Sequence, residues 1–469
     1  MNLYLMAPFL NGLQILQSDF FDEFAPNLSQ LIGYQSPQRA RELNVGALDR
    51  MIHNQKNTPS IRKLFEFLKH HKPLGSYDEE ITDVRAEEKL CLKYGFKYNM
   101  SRKRRRRIFH GSTIAYESWH SIGTHSAEAY GLYHTAVFIE SNLTFSSTPR
   151  QMRFVQGSAD LDILRSGIFG PLTDVQVGNY INDADAAHNP LLIENLQREV
   201  ILKHWKDSGM KADDIGIIGD VDEMFTRDFL LAAQTCDVPE FRMDQDCRTP
   251  KVIADTLVFE STPTCISNEH WFHPDMIIGE CIDGIGDAEL HSPPAERIYR
   301  NGTLGHRITG KGKYDGDWGS LPNRSKYPLW KPVDFRSTAG GRQHYIEKNR
   351  KQKTQHTGFH LHNYFTSLST LRHKYSTYSH SMRDVESKSL GQIHKDSDLM
   401  VKCVMDRKNS SDPSNIKIRN GGLSGVIEGG GEVPLLFRYP DYVNARHSEL
   451  KKEIMEDEAK YGNASRSFH

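Results

Sequence analysis

The sequence lacks several features that would each point to a class of protein. No apolar run reaches the length of about 20 residues that a transmembrane helix needs, so membrane association is expected only if an anchor is missing from the sequence. The six cysteines include no C-x-x-C pair, which leaves no sign of a structural zinc site. Lysine and arginine number 59 against 60 acidic residues, and this balance gives no reason to expect a nucleic-acid partner.

One short segment departs from the balanced charge. Residues 102–107 read RKRRRR, a basic run with no aromatic residue in it. Segments that bind single-stranded nucleic acid combine basic groups with aromatic side chains that stack on bases, so we interpret the run as a solvated linker. The chain then divides into a leader or stem over residues 1–105, a main domain over residues 106–450, and a charged C-terminal tail over residues 451–469.

Signals for asparagine-linked glycosylation are frequent. The motif Asn-x-Ser/Thr occurs at Asn27, Asn99, Asn142, Asn301, Asn323, Asn409 and Asn463. Such signals are used on proteins of the secretory pathway. The sequence therefore favours a luminal, glycosylated protein.

Short apolar runs alternate with helical periodicity, which is typical of an α/β domain. Residues 135–140 (TAVFIE) and 215–219 (IGIIG) have the length and composition of buried parallel strands. Residues 194–208 predict an amphipathic helix, because apolar side chains recur on one face, and residues 114–133 carry a similar period. The polar stretch 301–357 predicts a long loop. We therefore expect a mainly parallel sheet flanked by helices, with long loops.

Paired aspartates supply the strongest chemical signal. The pattern Asp-x-Asp occurs six times, but only Asp220/Asp222 directly follows an apolar strand. The carboxyl ends of strands in open α/β sheets border the ligand crevice, and alternate residues of an extended segment can direct two carboxylates at one point. Two oxygen ligands with open coordination positions suit Mn²⁺ or Mg²⁺ carrying a diphosphate. The alternative is a turn whose aspartates cap the next helix.

Three ordered blocks resemble glycosyltransferase family 17, typified by a β-1,4-mannosyl-glycoprotein N-acetylglucosaminyltransferase. The first is residues 138–145 (FIESNLTF), and the second is residues 220–224 (DVDEM) with an Arg-Asp pair after it. The third is residues 358–360 (GFH), with a lysine and a histidine downstream. Phe359 stands where the family usually has tryptophan. The resemblance covers residues 108–407.

The resemblance implies a fold, a reaction and a cellular place. The fold would be of the GT-A type, a Rossmann-like arrangement with a mixed, mainly parallel sheet. The reaction would be an inverting, metal-dependent transfer of a sugar, GlcNAc from UDP-GlcNAc, to a glycan acceptor such as an N-glycan. The cofactor would be Mn²⁺ or Mg²⁺, and the enzyme would work in the Golgi lumen or at the Golgi membrane.

Site roles follow for residues within the three blocks. Asp220, Asp222 and His360 are predicted to bind the metal, and Asp220 also to contact the donor. Glu140 and Asn142, at the end of the first strand, are predicted to contact the uridine. A structural role is the alternative for these residues. His360 could be a buried histidine whose ring nitrogens are hydrogen-bonded within the core, and Glu140 and Asn142 could form the turn that ends the strand.

Two further pairs complete the predicted site. Arg198 and Arg227 are candidate partners of the diphosphate, because a guanidinium matches phosphate geometry; surface salt bridges are the alternative. An inverting transfer also needs a base for the acceptor proton. Glu280 and Asp283 follow an apolar run at residues 276–278 and could line the crevice as that base, or merely cap a loop.

Two other functional classes remain compatible with the sequence. Phosphatases of the haloacid-dehalogenase type also place an Asp-x-Asp after an apolar strand, with the first aspartate, here Asp220, as nucleophile. A catalytically inactive glycan-binding module would share the fold without the reaction. A lysine bonded to Asp220 would favour the phosphatase, and a groove open toward Glu140 would favour the transferase.

Overall fold

The structure is a computed structural model of the 469-residue chain. It describes residues 38–39, 43–71, 83–144, 148–180, 190–241, 251–286, 308–309, 313–314, 341–344, 356–377, 385–405 and 422–461. Among these residues, no helix is both long enough and apolar enough to cross a membrane.

The described residues include sixteen strands and twelve α-helices. The strands are β1 (Gln38–Arg39), β2 (Lys97–Tyr98), β3 (Ile108–Ile114), β4 (Tyr133–Ser141), β5 (Asp174–Tyr180), β6 (Ile215–Asp220), β7 (Glu223–Phe225), β8 (Cys236–Asp237), β9 (Lys251–Ala254), β10 (Thr256–Glu260), β11 (Ile266–Trp271), β12 (Asp275–Ile278), β13 (Ile308–Thr309), β14 (Lys313–Tyr314), β15 (Gly341–His344) and β16 (Gly358–His362).

The helices connect and cover these strands. They are α1 (Val45–His53), α2 (Pro59–His70), α3 (Val84–Lys93), α4 (Trp119–Ala129), α5 (Ala159–Leu164), α6 (Pro190–Asp207), α7 (Arg227–Thr235), α8 (Leu368–Thr377), α9 (Leu390–Ile393), α10 (Lys395–Val404), α11 (Gly422–Glu428) and α12 (Pro440–Tyr461).

The main sheet has eight strands in the order β1-β5-β4-β3-β6-β12-β9-β15. Strands β5, β4, β3 and β6 run parallel to one another, and β12 is antiparallel to both of its neighbours, β6 and β9. Strand β15 pairs with β9 in parallel, and β1 closes the other edge as an antiparallel strand. The sheet is therefore mixed and mainly parallel, and the predicted α/β fold class is confirmed.

A second, four-stranded sheet has the order β11-β10-β16-β7. Its edge strand β7 follows β6 after two residues, so this sheet begins where a main-sheet strand ends. Gly358 allows β16 to pack closely, because a Cβ atom there would lie 2.8 Å from the carbonyl oxygen of Met224 and 2.9 Å from Cβ of Ala254. A larger side chain at this first position of the third sequence block would therefore clash with its neighbours.

Two glycines of the main sheet leave the space in which helix α6 packs. An added Cβ at Gly111 of β3 would lie 2.2 Å from Cγ2 of Ile201, and one at Gly216 of β6 would lie 2.6 Å from the ring of Trp205. Trp205 is fully buried and donates from Nε1 to the carbonyl of His110 at 3.2 Å. The predicted amphipathic helix is confirmed, and small residues on two neighbouring strands bring it close to the sheet.

The predicted boundary at residue 105 needs correction. Helices α1 and α2 bury Ala47, Leu48, Leu64 and Phe65 in the same apolar core as the main sheet. A disulfide between Cys91 of α3 and Cys236 ties the next helix to the strand β8. Residues 43–71 and 83–105 are therefore part of the folded domain rather than a separate stem.

The basic run is not a solvated linker either. Arg106 is buried and donates to the carbonyl oxygens of Ala233 and Cys236 at 3.2 and 2.9 Å. Arg107 forms an ion pair with Asp214 at 2.5 Å. The run joins β3 to its surroundings, because its guanidinium groups satisfy carbonyls and carboxylates of neighbouring loops.

The predicted C-terminal tail begins inside a helix. Helix α12 is continuous across residue 450, and its residues Leu450 and Ile454 are buried. Asp457, also buried, accepts from Arg372 Nε at 3.2 Å and from the backbone N–H of Leu390 at 2.8 Å. At least as far as Tyr461, the charged C-terminal segment packs as part of the fold.

Candidate active site

The two strands predicted to carry the site end at the same edge of the main sheet. Strands β4 and β6 flank β3 and run parallel to it. Ile114 of β3 pairs with Glu140 of β4, and Thr113 pairs with Asp220 of β6. The strand order changes direction between β3 and β6, and open α/β sheets bind ligands at such a switch point. Glu140 and Asp220 therefore lie at the same edge of the sheet, and their contact with a donor stays a prediction.

Three side chains at this edge converge closely enough to hold one metal ion. Asp222, Glu223 and His360 each offer a ligand atom, and the three atoms lie within 4.8 Å of one another. His360 belongs to β16, where it pairs directly across from Glu223, and its Nε2 lies 3.9 Å from Oδ2 of Asp222. Carboxylate and imidazole ligands together suit a divalent ion such as Mn²⁺.

Asp220 lies outside this group of three. Its Oδ1 is 3.6 Å from Nη2 of Arg198, and the Arg198 side chain is 4% exposed against 37% for Asp220. The predicted metal ligands were Asp220, Asp222 and His360, whereas the structure groups Glu223 with the last two. Arg198 is brought to the site by α6, and its predicted contact with a diphosphate stays a prediction.

The electrostatics of Asp222 favour a cation in the site. Burial, then the like charges of Glu223 and Asp220, raise the pKa of Asp222 to about 8, and Lys374 of α8 acts in the opposite direction. Carboxylates this close repel one another when ionised. A positive ion between them would relieve that repulsion, so the donor set fits the metal that the sequence predicted.

Trp271 holds the ligand group in place and was missed by the sequence prediction. Its Nε1 donates to Oε1 of Glu223 at 2.7 Å, while the backbone N–H of Asp220 donates to Oε2 at 3.0 Å. The Trp271 ring also stacks on the ring of His360, with centroids 5.0 Å apart. Hydrogen bonds of this kind orient metal ligands in proteins. Nothing in the local sequence around Trp271 signals this role.

Glu140 is engaged within its own loop. It is fully buried and accepts from Nη2 of Arg150 at 2.6 Å and from the backbone N–H groups of Arg153 and Phe154 at 2.7 and 2.8 Å. Both carboxylate oxygens are thus used to hold the loop after β4. Asn142, two residues on, has a buried Oδ1 with no hydrogen-bond partner among the described residues. Contact of either residue with uridine stays a prediction.

The family model for glycosyltransferase family 17 matches residues 43–245. This match, over somewhat less than half of the chain, supports membership in glycosyltransferase family 17. The match includes the β4 and β6 blocks and begins at residue 43, within the segment 1–105 predicted as a leader or stem. No curated protein and no solved structure matches the chain.

The family match indicates glycosyltransferase activity, which requires a sugar donor and a glycan acceptor. The phosphatase alternative loses support on this ground and on geometry. The structure puts the guanidinium of Arg198 beside Asp220, where a phosphatase of that type would need a lysine. Lys374, the lysine downstream of the third block, acts on Asp222 instead.

The side chain of Arg227 is directed at helix α4. Its Nη1 donates to the carbonyl oxygens of Glu128 and Tyr130 at 3.1 and 2.7 Å, and its side chain is buried. These bonds satisfy carbonyls at the C-terminal end of α4, where helices leave such groups without partners. The observed contacts support a structural role, and the predicted diphosphate contact of Arg227 stays untested.

The predicted base at Glu280 or Asp283 is wrong on geometry. Both residues follow β12, which runs antiparallel to β6 and pairs Ile278 with Ile215. The carboxyl end of β12 therefore lies at the start of β6, and the backbone N–H of Glu280 bonds to the carbonyl of Ala212 at 2.7 Å. Ile215 and Asp220 are five steps apart along extended β6, about 17 Å at the usual strand rise.

Two remaining expectations fall largely outside the described residues. His380, the histidine downstream of the third block, is one of them. The stretch 301–357, predicted as a long loop, is described only at β13, β14, β15 and its last two residues. Of this stretch, β15 joins the far edge of the main sheet.

Proposed function

We propose that this family 17 enzyme is an inverting, metal-dependent N-acetylglucosaminyltransferase. It transfers GlcNAc from UDP-GlcNAc to a glycan acceptor, an N-glycan. The observation that carries the proposal is the convergence of Asp222, Glu223 and His360 within 4.8 Å at the edge where β3, β4 and β6 end. A cation and a nucleotide are the ligands that such an edge accommodates.

The proposed fold type is GT-A. The support is the strand order β5-β4-β3-β6-β12-β9, with one antiparallel strand, β12, between two parallel ones. The parallel half of the sheet, at β4 and β3, offers the nucleotide crevice. The other half, at β12 and in the second sheet, is left for the acceptor.

Asp222, Glu223 and His360 would hold Mn²⁺, or Mg²⁺ in its place. The ion would act as a Lewis acid on the diphosphate, where negative charge develops as the sugar leaves. Arg198, held beside Asp220 at 3.6 Å, and Lys374, which acts on Asp222, are two cations near the metal ligands. They would bind the diphosphate oxygens and orient the donor.

The proposed location is the Golgi, in the lumen or at the membrane. Disulfides between Cys91 and Cys236 and between Cys265 and Cys403 support it, because disulfides persist in oxidising compartments. The seven glycosylation signals in the sequence agree with that compartment.

Metal removal tests the proposal. We expect the purified enzyme to release UDP from UDP-GlcNAc in the presence of a fluorescently labelled biantennary N-glycan, and to extend that glycan by one GlcNAc. EDTA should abolish both, and added Mn²⁺ should restore them. Asp222→Asn and Glu223→Gln should each weaken Mn²⁺ binding by at least about tenfold, measured by calorimetry.

Asp228→Asn is the matched control. Asp228 lies in the same sequence block, but its side chain is 49% exposed and pairs with Lys93 at 2.7 Å. This variant should bind Mn²⁺ and transfer sugar like the wild type. Transfer that is unchanged in EDTA would refute the metal role. Glycan binding without consumption of any UDP-sugar would instead identify an inactive glycan-binding module.

A further inference from the structure

A histidine–aspartate pair lies at the amino end of β12. His273 Nδ1 is 2.5 Å from Oδ2 of Asp275, and Oδ1 of the same aspartate is 3.1 Å from Nζ of Lys251. The side chains of Asp275 and Lys251 are fully buried, whereas that of His273 is 17% exposed. A buried ion pair thus anchors an imidazole that reaches the surface.

The pair fixes which nitrogen of His273 carries a proton. Burial alone would raise the pKa of Asp275, but the charge of Lys251 and the contact with His273 outweigh it and lower that pKa. An ionised carboxylate only accepts hydrogen bonds, so Nδ1 of the neutral imidazole is the donor. The lone pair is then on Nε2, as in histidines that act as general bases.

The reversed direction of β12 brings this imidazole to the active edge. Asp275 pairs with Ile218 of β6, so the residues before Asp275 lie beside the end of β6. Pro274 packs against Gly219, where an added Cβ would lie 2.7 Å from Cβ of Pro274. The ring of His273 is 5.7 Å from that of Trp271, the side chain that bonds Glu223.

His273 also lies on the appropriate side of the metal ligands. In the main sheet β6 separates β3 and β4 from β12. A nucleotide at the ends of β3 and β4 would leave the β12 side for the attacking hydroxyl. An inverting transfer needs its base on the side of the sugar opposite the leaving diphosphate, and Glu280 and Asp283 lie at the other end of the sheet.

We infer that His273, oriented by Asp275, is the general base of the transfer reaction. This inference rests on the proposed function. Nε2 of His273 takes the proton of the acceptor hydroxyl as its oxygen bonds to the anomeric carbon of the donor sugar. The bond from that carbon to the diphosphate oxygen breaks, and its electron pair leaves with UDP. The imidazolium then returns its proton to solvent, so the balance is acceptor and UDP-sugar to glycoside, UDP and one proton.

The test compares two substitutions at one position. His273→Asn keeps an amide N–H that can donate to Asp275 but has no base at the place of Nε2. His273→Ala leaves space for imidazole from solution. Both should lower kcat for transfer from UDP-GlcNAc to the labelled biantennary glycan by about 100-fold or more. Both should bind UDP and Mn²⁺ with wild-type affinity, and imidazole should restore transfer by His273→Ala but not by His273→Asn.

His356 supplies the control. It forms a similar pair with a buried aspartate, Asp255, at 3.3 Å, and its side chain is also 17% exposed. It precedes His360 by four residues, about 13 Å along an extended chain. His356→Ala should transfer sugar normally and show no response to imidazole.

The outcomes separate the inference from the proposed function. A wild-type enzyme that transfers no sugar overturns both. A wild-type enzyme that transfers sugar, with His273→Ala or His273→Asn retaining most of that rate, overturns the base alone. A loss of transfer accompanied by loss of UDP and Mn²⁺ binding in both variants would make His273 a structural residue and also overturn the base.

Discussion

Glu128 is a buried carboxylate in the last turn of α4. It accepts from the backbone N–H of Leu435 at 2.5 Å and of Arg227 at 3.2 Å. Burial raises its pKa to about 7 against the opposing effect of these bonds and of the Arg227 charge. The carboxyl group therefore keeps its proton in the folded protein over a pH range in which the unfolded chain has lost it.

This shift predicts a pH dependence of stability. Between pH 4.5, the ordinary value, and about 7, the folded state binds the extra proton, so the free energy of unfolding falls as pH rises. The contribution lost is at most about 3 kcal/mol. Glu128→Gln cannot titrate, so its stability relative to wild type should improve from pH 5 to pH 8 in urea unfolding. The glutamine loses one acceptor at every pH, which adds only a constant offset to the difference in free energy of unfolding between the variant and wild type. A difference that does not change from pH 5 to pH 8 would contradict the raised pKa of Glu128.

The role of Glu223 in the site could not be predicted from the sequence. The Asp220/Asp222 pair could be chosen from six copies because it alone followed an apolar strand. The role of Glu223 depends on partners from β11 and β16, Trp271 and His360. Those strands reach it only through tertiary pairing, so no spacing within the Asp220 block could reveal it.

At the level of elements, composition predicted strands but not their direction. The apolar runs of β4, β6 and β12 were each recognised as strands or apolar segments. The local sequence pattern of a strand does not depend on the direction in which the strand runs in the sheet. Strand β12 runs antiparallel to both of its neighbours, β6 and β9. The base was therefore sought after β12, at Glu280 and Asp283, although the active edge lies before it.

Strand β3 was overlooked for a related reason. Its centre reads His-Gly-Ser, which is atypical of a buried strand. These residues are tolerated because Oγ of Ser112 and Nε2 of His110 lie 2.8 Å apart and form a hydrogen bond, and because Gly111 makes room for Ile201 of α6. Polar groups paired within the core leave no apolar signal in the sequence.

Gly219 couples two elements at the site, and its substitution gives an element-scale prediction. A Cβ there would lie 2.7 Å from Cβ of Pro274 and 3.3 Å from Oε2 of Glu223. Gly219→Ala should therefore displace Glu223 and weaken Mn²⁺ binding by about tenfold or more, measured by calorimetry, with the thermal unfolding still cooperative. Gly46→Ala, in the exposed first turn of α1, should leave Mn²⁺ binding unchanged. Equal Mn²⁺ affinity in wild type and Gly219→Ala would show that the strand end adapts freely.

At the scale of the whole molecule, the N-terminal helices complete the core. Leu64 of α2 packs so closely on α4 that a Cβ at Gly123 would lie 2.8 Å from its Cδ2. The ring of Phe65 meets that of Trp119 edge to face at 5.5 Å. The backbone N–H of Ser60 donates to Glu449 of α12 at 2.6 Å. A change in composition near the basic run suggested a domain boundary at residue 105. The contacts of α2 with α4 and α12 join the segments on the two sides of that boundary.

Truncation tests this view of the domain. A chain that starts at residue 106 loses α1, α2 and α3, exposes the face of α4 that packs on Leu64 and Phe65, and leaves Cys236 without Cys91. Loss of the disulfide alone costs about 2–5 kcal/mol in small secreted domains, a large fraction of the about 5–15 kcal/mol that stabilises a typical protein. We expect this chain to aggregate or to lack a cooperative thermal transition. A chain that starts at residue 38 keeps every described residue and should unfold cooperatively and bind Mn²⁺ as the full chain does. If the chain from residue 106 unfolds at the same temperature as the full chain and binds Mn²⁺ equally well, the first three helices are an appendage after all.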